Sequence, residues 1–213
     1  MNKLATLLFT CASLMSIAQD WSTDVYKYGE EYPGYVIMSS GDKVEGYIKY
    51  KDRYTMQNDV ELYTEKGNKK TKQKFSTGDL TEYKVADKLY HCIHYSGGLL
   101  KKPIKANLVV TEGCITEYVW YDRSENYMTM QRGSSESEED FMKRMYPPKS
   151  VYLKNGDEDP KTLDYFALKF ASKMSEWISD DAVLSKKVAD KEDGYGMLKI
   201  LEIIAEYNEN CKK

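Results

Sequence analysis

The chain has 213 residues, with 31 Lys and Arg against 34 Asp and Glu, a formal charge of -3 and 41% hydrophobic residues, the make-up of an ordinary globular protein of one unit or two small ones. The slight acidic excess argues against a protein built around a nucleic-acid backbone, which demands a strong basic surplus. The 19 Tyr against 5 Phe suit half-wet β-surfaces, where a ring covers apolar area while its hydroxyl stays hydrated.

The first element reads as a secretory signal over residues 1–18. Lys3 supplies a positive n-region, residues 4–17 form an apolar stretch, and Ser16-Ile17-Ala18 places small residues before a cut expected between Ala18 and Gln19. Acylation of Cys11 fits poorly, because Phe9 and Thr10 precede it inside the apolar run. The stretch is shorter than the roughly 20 residues of a spanning helix. The mature chain is therefore expected to be exported to the periplasm or cell surface, with no transmembrane segment.

A β-rich region follows over residues 19–132. In residues 43–51, Val44, Ile48 and Tyr50 alternate with Lys43, Glu45, Tyr47, Lys49 and Lys51, the period-two pattern of a strand with one dry face. It pairs with residues 34–39 through Ser40-Gly41-Asp42, residues that tolerate tight turns. Further strands are expected at 60–65, 71–75, 82–85, 89–95, 106–111, 114–121 and 127–132. Such a succession of short strands predicts a meander, a curved sheet or an incomplete barrel.

Residues 133–158 read as an acidic linker opening with GSSESEED, which lacks the apolar area to be core. Phe141, Met142 and Met145 allow a short helix that Pro147-Pro148 stops, and residues 150–153 fit one more strand. From residue 159 to 213 the period becomes helical. Asp159 as N-cap and Pro160 at the first position introduce a face of Leu163, Phe166, Ala167, Phe170, Ala171, Met174, Trp177 and Ile178. Ser179 or Asp180 would cap a second helix holding Ala182, Val183 and Val188, and residues 197–208 form a third with Ile200, Leu201, Ile203, Ile204 and Tyr207. The expected fold class is α+β: an antiparallel β-rich region followed by a small three-helix segment packed on the sheet.

Chemistry-bearing patterns are few. His91-Cys92-Ile93-His94 offers zinc-ligand types, but residues three apart on a strand point to opposite faces and a structural zinc needs about four ligands, so no metal ligand is assigned. Lys66, Lys69, Lys70, Lys72 and Lys74 form a basic hairpin read as a solvated or edge-guarding face, with Glu61 and Glu65 as cross-strand partners. Asp157, Glu158 and Asp159 lack the calcium-loop alternation and fit the acidic start of a helix. Ser40-Gly41-Asp42-Lys43 matches SxxK only by chance, in a hairpin turn, and no nucleophile elbow, Walker loop or dinucleotide fingerprint occurs in the sequence. No catalytic or cofactor-binding residue is assigned and no cofactor is expected. Of the mature chain's three cysteines, Cys92 and Cys114 are expected to pair because both fall on strands, whereas Cys211 lies near a charged C-terminus.

The signal ending in Ala-Gln, the opening GYVIMSSGDKVEGYI, the central TEGCITEYVWY and KEDGYGMLKIL, and the closing IIAEYNENC resemble an uncharacterised class of exported proteins from Bacteroidota-type bacteria. The resemblance implies export and this architecture and carries no site residue across. The functional expectation is a non-catalytic envelope protein that binds a protein, a glycan or another envelope component through a Tyr-rich sheet surface. The alternative is an extracytoplasmic hydrolase that uses carboxylates.

Overall fold

The computed structural model describes residues 26–95, 97 and 103–211; the expected signal and its cleavage site lie outside them. Ten strands form one antiparallel sheet that does not close. They are β1 (Glu31–Met38), β2 (Lys43–Lys49), β3 (Asp59–Tyr63), β4 (Lys72–Ser76), β5 (Leu80–Val85), β6 (Lys88–Ile93), β7 (Lys105–Thr111), β8 (Ile115–Tyr121), β9 (Pro148–Lys154) and β10 (Lys161–Thr162), in the spatial order β10-β9-β8-β7-β6-β5-β1-β2-β3-β4. Among the described residues five α-helices accompany them: α1 (Glu138–Met145), α2 (Leu163–Ala167), α3 (Phe170–Trp177), α4 (Ala182–Ala189) and α5 (Ile200–Asn210). The fold is α+β, with the helices concentrated at the C-terminal end.

A glycine pair lies where neighbouring strands approach closely. Gly34 of β1 lies opposite Gly46 of β2. A Cβ at Gly34 would stand 2.1 Å from the Lys84 carbonyl oxygen, and one at Gly46 2.4 Å from that of Tyr63, so only glycine permits this approach of neighbouring strands. The segment between β2 and β3 crosses the inner face. Gln57 donates through Nε2 to the Tyr121 carbonyl at 2.8 Å and accepts from the Tyr121 amide at 2.6 Å. Five strand spacings separate β2 from β8 in the sheet order, about 24 Å if the sheet were flat, so these bonds require a strongly curved sheet.

Arg53, Met56 and Gln57 of that segment are buried, and Tyr83 donates to the Met56 carbonyl at 2.6 Å. They plug an inner core of Val36, Ile48, Tyr50, Leu62, Tyr83, Tyr90, Leu108, Val119 and Tyr121. Further along the inner face, Ile115 and Tyr152 receive the helices through Phe166, Met174, Trp177, Leu184, Ile203 and Tyr207. Val109, Tyr118, Trp120 and Val151 form a smaller cluster on the outer face.

Three expectations are corrected. The strand expected at residues 127–132 is a run of turns, with the Tyr127 amide bonded to Ser124 and that of Met130 to Asn126, because β8 already has β7 and β9 on its two sides. The strand expected at residues 150–153 is present as β9, which pairs with β8 over its full length. Pro160 starts no helix: Lys161 and Thr162 pair with β9, and the left-handed Lys169 (φ 64°) splits the expected long helix into α2 and α3. The cap of α4 is Asp181, one residue beyond the expected position, whose side chain accepts from the Leu184 amide at 3.0 Å.

The disulfide is also not the expected one. Cys114 bonds Cys211 at 2.05 Å, while Cys92 is free on the inner face of β6. Ile203, Ile204, Tyr207 and Asn208 anchor α5 by their burial. Asn208 accepts from the Ile115 amide and donates to the Ile115 carbonyl, each at 2.8 Å, which brings Cys211 to the start of β8.

Candidate binding cleft

A cleft of about 560 Å³ opens where β1 begins, β2 ends and α1 starts, lined by Tyr26, Tyr28, Tyr50, Lys27, Asp52, Glu138 and Met142 among others. Its shelf is aromatic. Tyr26 and Tyr50 lie 5.3 Å apart with an interplanar angle of 32°, and Tyr32 meets Tyr26 edge-on at 4.9 Å. Tyr28 is 76% exposed. Packing fixes the shelf from behind: the Lys27 amide donates to the Tyr32 hydroxyl at 2.9 Å, and the Lys88 ammonium stands 5.1 Å from the Tyr26 ring centre.

The polar groups around the shelf divide into engaged and available ones. Lys51 is held by Asp59 at 2.7 Å and Glu61 at 3.4 Å. Asp52 accepts from the Thr55 amide and hydroxyl at 2.8 and 2.6 Å, and Glu139 pairs with Lys143 at 2.5 Å. Ser137 caps α1 by accepting from the Asp140 amide at 3.1 Å. Among the described residues, that leaves the Glu138 carboxylate and the Lys27 ammonium to meet a ligand.

A second polar constellation sits on the outer face. Tyr35 donates to Glu82 at 2.8 Å, His91 Nδ1 lies 3.0 Å from the Tyr118 hydroxyl, and His91 Nε2 faces Glu112 at 3.8 Å and Glu82 at 4.0 Å. Every group is satisfied when Tyr118 donates to Nδ1 and the Nε2–H faces the carboxylates. Burial holds His91 below its ordinary pKa despite Glu112 and Glu82, and burial followed by Glu82 pushes Tyr35 up to about 12.

The sequence-level candidates separate in space. His91 faces outward, Cys92 inward, and His94 is exposed; among the described residues no three His, Cys, Asp or Glu side chains are placed to hold a metal ion. Lys72 pairs with Glu61 at 3.0 Å and Lys74 with Asp59 at 2.8 Å on β4, the outermost strand, whereas Glu65 bonds Asn68 instead. Asp157 accepts from Lys161 at 2.8 Å and from the Trp177 indole at 2.7 Å, so it anchors α3 to the sheet's end. Lys43 of the SxxK match pairs with Glu45 at 2.6 Å.

Ten of the 19 tyrosines are buried, so the aromatic excess builds core more than surface, and of the remaining rings Tyr26 and Tyr28 line the mouth. Tyr26, Tyr28 and Glu138 were not singled out by sequence reasoning; the crowding of Tyr26, Tyr28, Tyr32 and Tyr35 within ten residues was the available signal. Comparison with known proteins finds no matching family model, curated protein or solved structure. No helix among the described residues is long and apolar enough to cross a membrane.

Proposed function

We propose that the protein is exported and acts without catalysis, holding an envelope component in the tyrosine-lined mouth of its curved sheet. The observation that carries this reading is the exposed Tyr28 beside Tyr26, which packs on the buried Tyr50, in an open cleft, since ligand seats combine aromatic walls with a few placed polar groups. Export is supported by the Cys114–Cys211 disulfide, a bond that persists in oxidising compartments.

The mature protein, immobilised and exposed to solubilised native envelope, should retain one component that Tyr28→Ala releases and Leu198→Ala does not. Retention unaffected by Tyr28→Ala would overturn the placement. N-terminal sequencing of protein recovered from the envelope should begin at Gln19; an intact Met1 in the cytosol would refute export.

A hydrolytic reading draws on Asp52, Glu138 and Glu139 lining the same cleft. Acid and base work needs two available carboxyl groups, yet Asp52 and Glu139 are engaged by Thr55 and Lys143. Chain shortening of an envelope polymer that Glu138→Gln abolishes would establish this reading instead.

A further inference from the structure

Resting on the mouth as the ligand seat, we infer that its occupant is a neutral glycan. The cleft volume of about 560 Å³ suits one small oligosaccharide-sized ligand. A pyranose presents a flat C–H face bounded by hydroxyl groups, and the mouth offers the matching pair of surfaces. The exposed Tyr28 ring and the half-buried Tyr26 ring supply apolar faces, with the buried Tyr50 packed behind Tyr26, while the Glu138 carboxylate accepts hydroxyl protons and the Lys27 ammonium donates to hydroxyl oxygens.

Two features separate this ligand from its competitors. The mouth holds three carboxylates, Asp52, Glu138 and Glu139, against two ammonium groups, Lys27 and Lys51, and Lys51 already faces Asp59 and Glu61. A polyanionic chain therefore meets repulsion. An extended peptide is recognised mainly through unpaired backbone at a sheet edge, and the strand ends here pair with each other: the Gly29 amide donates to the Tyr50 carbonyl and the Tyr50 amide to the Glu30 carbonyl, both at 2.8 Å. What remains accessible is side chain, which suits stacking and hydroxyl recognition.

The test is calorimetric titration of the mature, disulfide-bonded protein with cellohexaose, maltohexaose and N-acetyl-chitohexaose, beside hexagalacturonate and an uncharged extended decapeptide. At least one neutral hexasaccharide should bind. Tyr28→Ala should weaken it tenfold or more, and Glu138→Gln severalfold, with unchanged circular dichroism; Tyr28 is exposed enough for its loss to leave folding intact. Binding of the anionic sugar or the peptide alone, lost in Tyr28→Ala, would overturn the glycan assignment and leave the mouth as the seat. Neutral-sugar binding indifferent to both substitutions would overturn seat and assignment together. No binding of any neutral hexasaccharide at millimolar concentration would overturn the assignment.

Discussion

Removing the Cys114–Cys211 bond should cost the protein a large share of its stability. The bond joins residues 97 apart in sequence. On the chain-entropy model a loop of this length contributes about 4.7 kcal/mol by restricting the unfolded chain, a large part of the 5–15 kcal/mol typical of a whole domain. The same junction contains a second tie, because Asn208 satisfies both backbone groups of the fully buried Ile115. Asn208→Ala would leave those groups unpaired at roughly 1–3 kcal/mol each. A Cβ at Gly113 would stand 2.3 Å from the Asn208 side-chain nitrogen, so Gly113→Ala should disturb the same tie. The assay is equilibrium urea unfolding of wild type, Cys114→Ser with Cys211→Ser, Asn208→Ala, and the triple variant. The double cysteine variant should lose about 4–5 kcal/mol, and the triple variant should depart from the sum because the two ties share one junction. A loss below about 1 kcal/mol in the cysteine variant would refute a closed 97-residue loop as the source of stability.

Lys169 holds a left-handed conformation at φ 64°, so Lys169→Gly should raise stability by about 1 kcal/mol in the same assay; a loss would show that the lysine side chain outweighs its backbone strain. Burial keeps His91 below its ordinary pKa, so the fold favours the neutral ring. The His91 contribution is complete above the unfolded value of about 6.5 and declines as pH falls below it. His91→Gln should flatten the stability profile between about pH 7.5 and pH 5.5, and an unchanged slope would contradict this. Glu117 is 7% exposed, and burial raises its pKa even with a Ser150 hydrogen bond. Glu117→Gln should therefore stabilise the protein at pH 8, with the gain shrinking as pH falls toward the ordinary carboxyl value of about 4.3.

The sheet was readable from sequence wherever one face is dry. Val44, Ile48 and Tyr50 alternate against lysines, and Ser40-Gly41-Asp42 marks the turn, with Gly41 at φ 92°. Local pattern fails where tertiary pairing decides. Residues 127–132 alternate acceptably but find no free strand beside β8. The helical period through Phe166 and Met174 persists across the Lys169 break, because both side chains reach the same core although Leu168 and Lys169 between the two helices are not helical. The cysteine pairing rested on strand membership, whereas the actual partner of Cys114 is set by Asn208, whose contacts with Ile115 span 93 residues. The mouth was unreadable for the same reason: Tyr28, Tyr50 and Glu138 come together only when the curved sheet meets α1.

The seat itself is tested most directly by photo-crosslinking in the native envelope. A photoreactive phenylalanine analogue replaces Tyr28 at the mouth in one strain, and Leu198, 99% exposed beside the helices, in another. The account predicts one discrete envelope adduct from position 28, suppressed when Glu138→Gln is added, and none of the same mass from position 198. An adduct formed at 198 and absent at 28 would contradict it.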